Sequence, residues 1–74
     1  SEPDLESRMA HIREFIEKGN RVKVSVRFRG RQMAYQERGR ELLRGLAEKL
    51  TDVSVVDQEP KMEGREMSLI LRPI

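Results

Sequence analysis

From residue 5 onward the apolar positions of this chain recur at helical spacing. Leu5, Met9, Ile12 and Phe15–Ile16 stand four, three and three to four apart, with Glu6, Arg8, Arg13, Glu14 and Glu17 between them. One apolar stripe among charges predicts an amphipathic helix over about 4–18. Pro3 suits its first turn, Asp4 and Glu6 suit its positive end, and Gly19 is placed to end it in a left-handed turn. The period then changes to two. Val22, Val24, Val26 and Phe28 alternate with Lys23, Ser25, Arg27 and Arg29, the pattern of a half-buried strand. Gly30 breaks it, and a turn through Arg31, Gln32 and Met33 follows.

A second helical stripe runs from Ala34 to Leu50 through Tyr35, Gly39, Leu42–Leu43, Leu46–Ala47 and Leu50. Gly39 costs such a helix about 1 kcal/mol relative to Ala, and its place on the stripe predicts close approach to the sheet. Asp52 closes a turn into a short strand, residues 53–56. Pro60 to Arg65 loses all periodicity between Pro and Gly and is expected to be a loop. Met67, Leu69 and Leu71 then alternate with Ser68, Ile70 and Arg72 in a closing strand. The order α-β-α-β-β predicts an α+β two-layer sandwich with both helices on one face of the sheet.

Composition sets limits on this picture. A chain of 74 residues is expected to form one domain, residues 1–74, near the lower end of what buries an independent core. The absence of cysteine excludes disulfides and thiolate metal sites, and the one histidine, His11, cannot build a zinc site or a triad alone. No apolar run exceeds three residues, so no helical membrane span or secretory leader is expected. The opening Ser-Glu-Pro-Asp, without an initiator Met, suggests a piece of a longer protein.

Catalytic chemistry finds no foothold. Glu37, Glu41 and Glu48 alternate with Arg40 and Arg44 at helical spacing, a pattern that stabilises a helix through neighbouring charge pairs. Ser25 and Ser68 have no suggestively placed histidine, and Gly30 and Gly64 are isolated rather than part of a phosphate loop. No catalytic residue, metal ligand or cofactor is expected.

Charge, by contrast, is segregated. Residues 18–36 hold six cations (Lys18, Arg21, Lys23, Arg27, Arg29 and Arg31) and no acid, although the whole chain has 15 bases, 13 acids and a net charge of only +2. Such a field attracts polyanions, nucleic acid first among them. Alternation puts Lys23, Arg27 and Arg29 on one strand face, about 7 Å apart for neighbours two positions on. That is close to the spacing of successive phosphates, and the arginine fork can grip two phosphate oxygens. With three aromatics, and Phe28 directed to the core by alternation, base stacking is poorly supplied. Recognition of folded RNA through shape and phosphates fits better. The competing reading is a protein–protein module whose basic strand edge meets an acidic partner.

The residues also carry a resemblance. Val24-Ser25-Val26-Arg27-Phe28-Arg29-Gly30-Arg31-Gln32-Met33-Ala34-Tyr35-Gln36-Glu37 resembles a block of the C-terminal domain of bacterial translation initiation factor 3. Pro60-Lys61-Met62-Glu63-Gly64-Arg65-Glu66-Met67 is similar to that family's second block, followed by a Leu-rich closing strand and a Pro. The resemblance implies a translation initiation factor domain, cytoplasmic and not an enzyme, that binds small-subunit ribosomal RNA. It implies that the domain opposes premature subunit joining and supports selection of the start site and initiator tRNA, beside neighbouring ribosomal proteins.

Carried over by position, the resemblance offers Lys23, Arg27, Arg29, Arg31, Gln36, Lys61 and Arg65 as RNA-binding residues, with Arg40 and Arg44 as further candidates. Met33 lies in the matched loop and suits packing as well as contact. It also implies a mixed sheet, in which a strand upstream of the first helix pairs in parallel with residues 22–28 and the closing strand lies in the middle. The resemblance therefore leads to the expectation of a truncated domain, lacking that strand and the family's N-terminal domain and linker. The chain also has Tyr35 where the family usually has His, Arg38 for an apolar residue, Leu5 for Tyr and Glu14 for a base. With residues 22–28 left as a sheet edge, a monomer is expected at low salt.

Overall fold

The computed structural model describes residues 5–74. Helix α1 (Leu5–Glu17) leads into strand β1 (Val22–Arg27), a 3-10 helix (Gly30–Tyr35), helix α2 (Gln36–Glu48), strand β2 (Ser54–Glu63) and strand β3 (Glu66–Pro73). The expected helix start at Pro3 and Asp4, with the side chains of Leu5 and Glu6, lies outside the described residues.

The end of α1 follows from Gly19. At φ 92° it adopts the left-handed conformation that lets Gly19 N–H reach Ile16 O (2.9 Å) and Asn20 N–H reach Phe15 O (3.1 Å). The last carbonyls of the helix are satisfied by this pair, and Asn20 Nδ2 donates a further bond to Phe15 O at 3.1 Å.

The sheet order is β1-β3-β2, antiparallel throughout. The closing strand is central, as the resemblance implies, and among the described residues β1 lies at an edge. The parallel pair of the expected mixed sheet involves a strand upstream of α1, so the sheet of residues 22–73 contains none. Register places Val22, Val24 and Val26 opposite Leu71, Leu69 and Met67, all on the face the helices cover. Ile16, Leu43, Leu46, Ala47 and Leu50 from the helical layer close the core over them. Alternation in β1 is therefore legible as expected, with the even positions half-buried and the odd ones exposed.

Three expectations are corrected. The strand expected over 53–56 runs on to Glu63, and the loop expected over 60–65 shrinks to the two-residue connection Gly64–Arg65, with Gly64 at φ 66°. Periodicity fails there because β2 is irregular. Its register against β3 shifts between Val56 and Gln58 and again between Gln58 and Lys61, and Pro60 sits in the second shift, where no ladder hydrogen bond is needed from it. The turn at 31–33 is a 3-10 helix extending to Tyr35. Its tighter winding, three residues per turn, carries Tyr35 off the α2 stripe, and its ring is 53% exposed. Leu42 and Phe15 are exposed too, because their neighbours Leu43 and Ile16 take the inward positions. The buried stripe of α2 is Gly39, Leu43, Leu46 and Ala47.

Candidate nucleic-acid interface

Residues 18–36 carry six cations and no acid. Folding changes their surroundings. The face of the sheet away from the helices carries Lys23, Ser25 and Arg27 of β1, and the register lays Ile70, Ser68 and Glu66 beside them. On the far side of β3 stand Gln58, Lys61 and Glu63. Acids distant in sequence thus arrive among the bases. Lys23 Nζ lies 3.8 Å from Glu63 Oε1, and that carboxylate also accepts a bond from Ser68 Oγ at 3.2 Å. Asp57 stands 3.3 Å from Arg21 Nη2 and 3.5 Å from Arg72 Nε, joining the starts of β1 and β2 to the end of β3. Arg27 faces Glu66 across the ladder without an ion pair.

These are exposed pairs, each worth about 0–1 kcal/mol, so they moderate the field of the open face without fixing its side chains. The carboxylates were invisible to a reading of residues 18–36 alone.

One end of the molecule keeps its positive character. Phe28 N–H donates to Arg65 O at 2.8 Å, which fixes the β2–β3 turn against the end of β1. Arg27, Arg29 and Arg65 therefore flank one junction. Gly30, at φ 49°, turns the chain there into the 3-10 helix that presents an exposed Arg31. Among the described residues Arg31, Arg65 and Lys61 enter no ion pair, and all three are exposed. Gln36 opens α2 at this same end and is half-buried. Met33 packs against the core.

The two further candidates on α2 part company. Arg40 is engaged within the fold, its Nη1 donating to Pro60 O at 3.1 Å and its Nε to Glu37 at 3.3 Å. It ties α2 to the irregular part of β2. Arg44 is exposed and lies beside Glu48, Val56 and Glu59, away from the Arg27–Arg65 junction.

Sequence reasoning missed one cation at this end. Arg38, in the first turn of α2, lays its guanidinium over the Tyr35 ring, 5.0 Å from the centroid. The sign of its position was the shift from 3-10 to α geometry after Gly30, which a helical wheel drawn through Ala34 cannot show.

Among the described residues no group of histidines and carboxylates is arranged to hold a metal, and no helix is long and apolar enough to cross a membrane. The arrangement is therefore that of a class: a small α+β domain, helices on one sheet face, cations gathered on the other face and at one end.

The chain belongs to the family of the translation initiation factor IF-3 C-terminal domain, whose model matches residues 1–74. That is a family of translation initiation factors and not of enzymes. The chain is 44% identical over 70 residues to translation initiation factor IF-3 of Mesorhizobium japonicum, an alignment covering 95% of this chain and 39% of that protein. It is 40% identical over 73 residues to the Thermus thermophilus factor, covering 99% of this chain and 43% of that one. The chain thus spans about two-fifths of the length of these relatives.

Proposed function

We propose that this chain is a ribosomal-RNA-binding domain of a translation initiation factor, acting on the small ribosomal subunit in the cytoplasm. In that role it opposes premature joining of the large subunit and supports selection of the start site and initiator tRNA, beside neighbouring ribosomal proteins. The observation that carries the proposal is the match of the family over residues 1–74 together with the cationic end built from Arg27, Arg29, Arg31 and Arg65. Lys23 and Lys61 extend the field along the open sheet face, and Gln36 adds a polar group at the start of α2. Phosphates are the natural counter-charge, since they set affinity and position without demanding a sequence. Arg40, already bonded to Pro60 and Glu37, acts as a structural tie, and Arg44 lies off the main surface.

Footprinting of the domain on isolated small subunits is the test. Protection confined to a defined set of ribosomal RNA sites, fading with salt, is the expected result. Diffuse protection, or none, would reject the proposal.

A second reading draws on a different observation: among the described residues β1 is a sheet edge, available to pair with a strand of an acidic partner. Binding to acidic polypeptides that matches binding to small-subunit RNA would favour it.

A further inference from the structure

Strand β2 meets β3 in successive registers rather than one. Val56 stands opposite Leu71, Gln58 opposite Ile70 and Lys61 opposite Ser68. Two steps along β2 from Val56 thus match one along β3, and three steps from Gln58 match two. Each shift inserts one extra residue on β2, and an inserted residue turns every following side chain to the other face. The first shift therefore exchanges the two faces of the strand, and the second restores them.

The second shift decides where Lys61 points. With the first shift alone, Pro60 would fall opposite Ser68 and Met62 opposite Glu66, on the open face of the sheet. Lys61 would then turn toward the helices. In the observed register Lys61 pairs with Ser68 and is exposed, while Met62 pairs with Met67 and packs against the core.

Glu59 and Pro60 occupy this shift and have no partner residue across the ladder. Pro60 is buried, so its carbonyl needs a partner from elsewhere in the fold. Arg40 provides one. Its Nη1 donates to Pro60 O at 3.1 Å, and its Nε, in the same planar group, donates to Glu37 Oε1 at 3.3 Å. Only 28% of the Arg40 side chain is exposed, so this cation is engaged within the fold. The rigid fork of a guanidinium suits the task, since it holds a helix carboxylate and a strand carbonyl at once.

We infer that Arg40 is a positioning residue for RNA binding. By holding the Pro60 carbonyl in the second shift, it keeps Lys61 on the open face of the sheet, where a phosphate can reach it. The inference rests on the proposed RNA binding and deepens it. One contact of that surface comes to depend on a side chain that does not itself touch RNA. The tie joins α2 to β2, across β3 from residues 22–28, so a strand paired beside β1 leaves it in place.

The salt dependence of binding to small-subunit RNA tests this. Arg40→Met keeps an unbranched stem and removes the donors. Its plot of log affinity against log salt is expected to be shallower than the parent's by about 0.7–0.9, one phosphate contact. Lys61→Ala should give the same change, and the double variant no more than either alone. Cross-strand NOEs in Arg40→Met should weaken between Met62 and Met67 and stay intact between β1 and β3. Replacing Arg40 by citrulline through chemical synthesis removes the charge but keeps Nε–H and a terminal NH2. That variant should retain the parent slope, and it decides the matter if Arg40→Met fails to fold.

A citrulline variant with a shallower slope, or a double variant that loses twice the single change, would mean that Arg40 meets a phosphate itself and would overturn the inference. So would a parent-like slope in Arg40→Met or Lys61→Ala, with RNA binding otherwise standing. A parent chain that bound small-subunit RNA with no salt dependence, or not at all, would remove the RNA proposal and this inference together.

Discussion

Gly39 lies directly against the ring of Phe28. A Cβ at position 39 would run into Phe28 Cζ and come within 3.3 Å of Cε1. The missing side chain lets α2 approach the end of β1, and the ring, 6% exposed, fills the space under the helix. Gly39→Leu is expected to overpack the contact and cost about 1–3 kcal/mol in urea unfolding. Gly39→Ala should lose less, because the gain of about 1 kcal/mol in helix propensity offsets part of the clash. A stabilised Ala variant would show that the ring shifts freely and that the contact does not set the spacing.

That contact was half legible in the sequence. A glycine on an apolar stripe announces close approach, and the alternation of β1 sends Phe28 inward. That the two meet each other depends on the 3-10 helix between them, and no period in residues 30–35 reveals its winding. The same uncertainty in winding put Tyr35 in the core on paper and at the surface in the fold.

Strand β2 shows the other kind of loss. Its residues alternate neither in hydropathy nor in burial, because two register shifts and Pro60 rotate side chains between faces. Where pairing with a neighbour rather than local pattern decides the strand, a single sequence reports a loop. The basic surface was legible as to its cations and illegible as to its counter-charges, since Asp57, Glu63 and Glu66 reach it only through strand pairing.

Phosphate recognition and core packing should separate cleanly by mutation. Arg31 is exposed and enters no ion pair among the described residues, so Arg31→Ala is expected to leave the melting temperature nearly unchanged. It should weaken binding to small-subunit RNA and make the plot of log affinity against log salt shallower by roughly 0.7–0.9, one phosphate contact. Leu69, fully buried in the central strand, should behave in the opposite way: Leu69→Ala costs about 2–5 kcal/mol of stability. RNA that remains bound, at an unchanged affinity, to the folded fraction of that variant would complete the contrast. An Arg31 variant that melted far lower while binding normally would contradict the assignment.

Acid should act through the join between the two helices. Arg13 Nη1 donates to Asp52 Oδ2 at 2.6 Å, and Arg13 Nη2 donates to Lys49 O at 3.2 Å, so one guanidinium from α1 holds the C-terminal end of α2 and the turn after it. The hydrogen bond from Arg13, aided by its charge, holds the Asp52 carboxyl below its usual range. A carboxyl with a lowered value in the folded state contributes stability that is fully present above its unfolded value, about 3.9. That contribution disappears as the pH falls through the folded value. Asp52→Asn should therefore lower the melting temperature at neutral pH, and the gap from the parent should close in strongly acidic buffer. A gap that stayed constant from neutral pH to pH 2 would mean that charge on Asp52 plays no part.

The edge of β1 carries the final prediction. Lys23, Ser25 and Arg27 turn their backbone N–H and C=O outward, in a strand of six residues that pairs with β3 in unbroken register. The opposite edge, β2, is blunted by register shifts and Pro60, whereas β1 is flat and offers a second copy a template for pairing. Charge opposes that pairing, because two such edges side by side would bring Lys23 and Arg27 of one chain against those of the other. Glu63 offsets Lys23 only in part, being exposed and 3.8 Å away. Salt shortens the reach of the repulsion to about 3 Å at 1 M and leaves the backbone pairing almost untouched. Light scattering should accordingly find a monomer at low salt and reversible association as salt rises. Ser25→Pro removes an outward N–H and spares the ladder to β3, so it should keep the protein monomeric at every salt concentration. If the parent chain stayed monomeric throughout, or if the proline variant associated equally well, the open edge would not be the site of self-pairing.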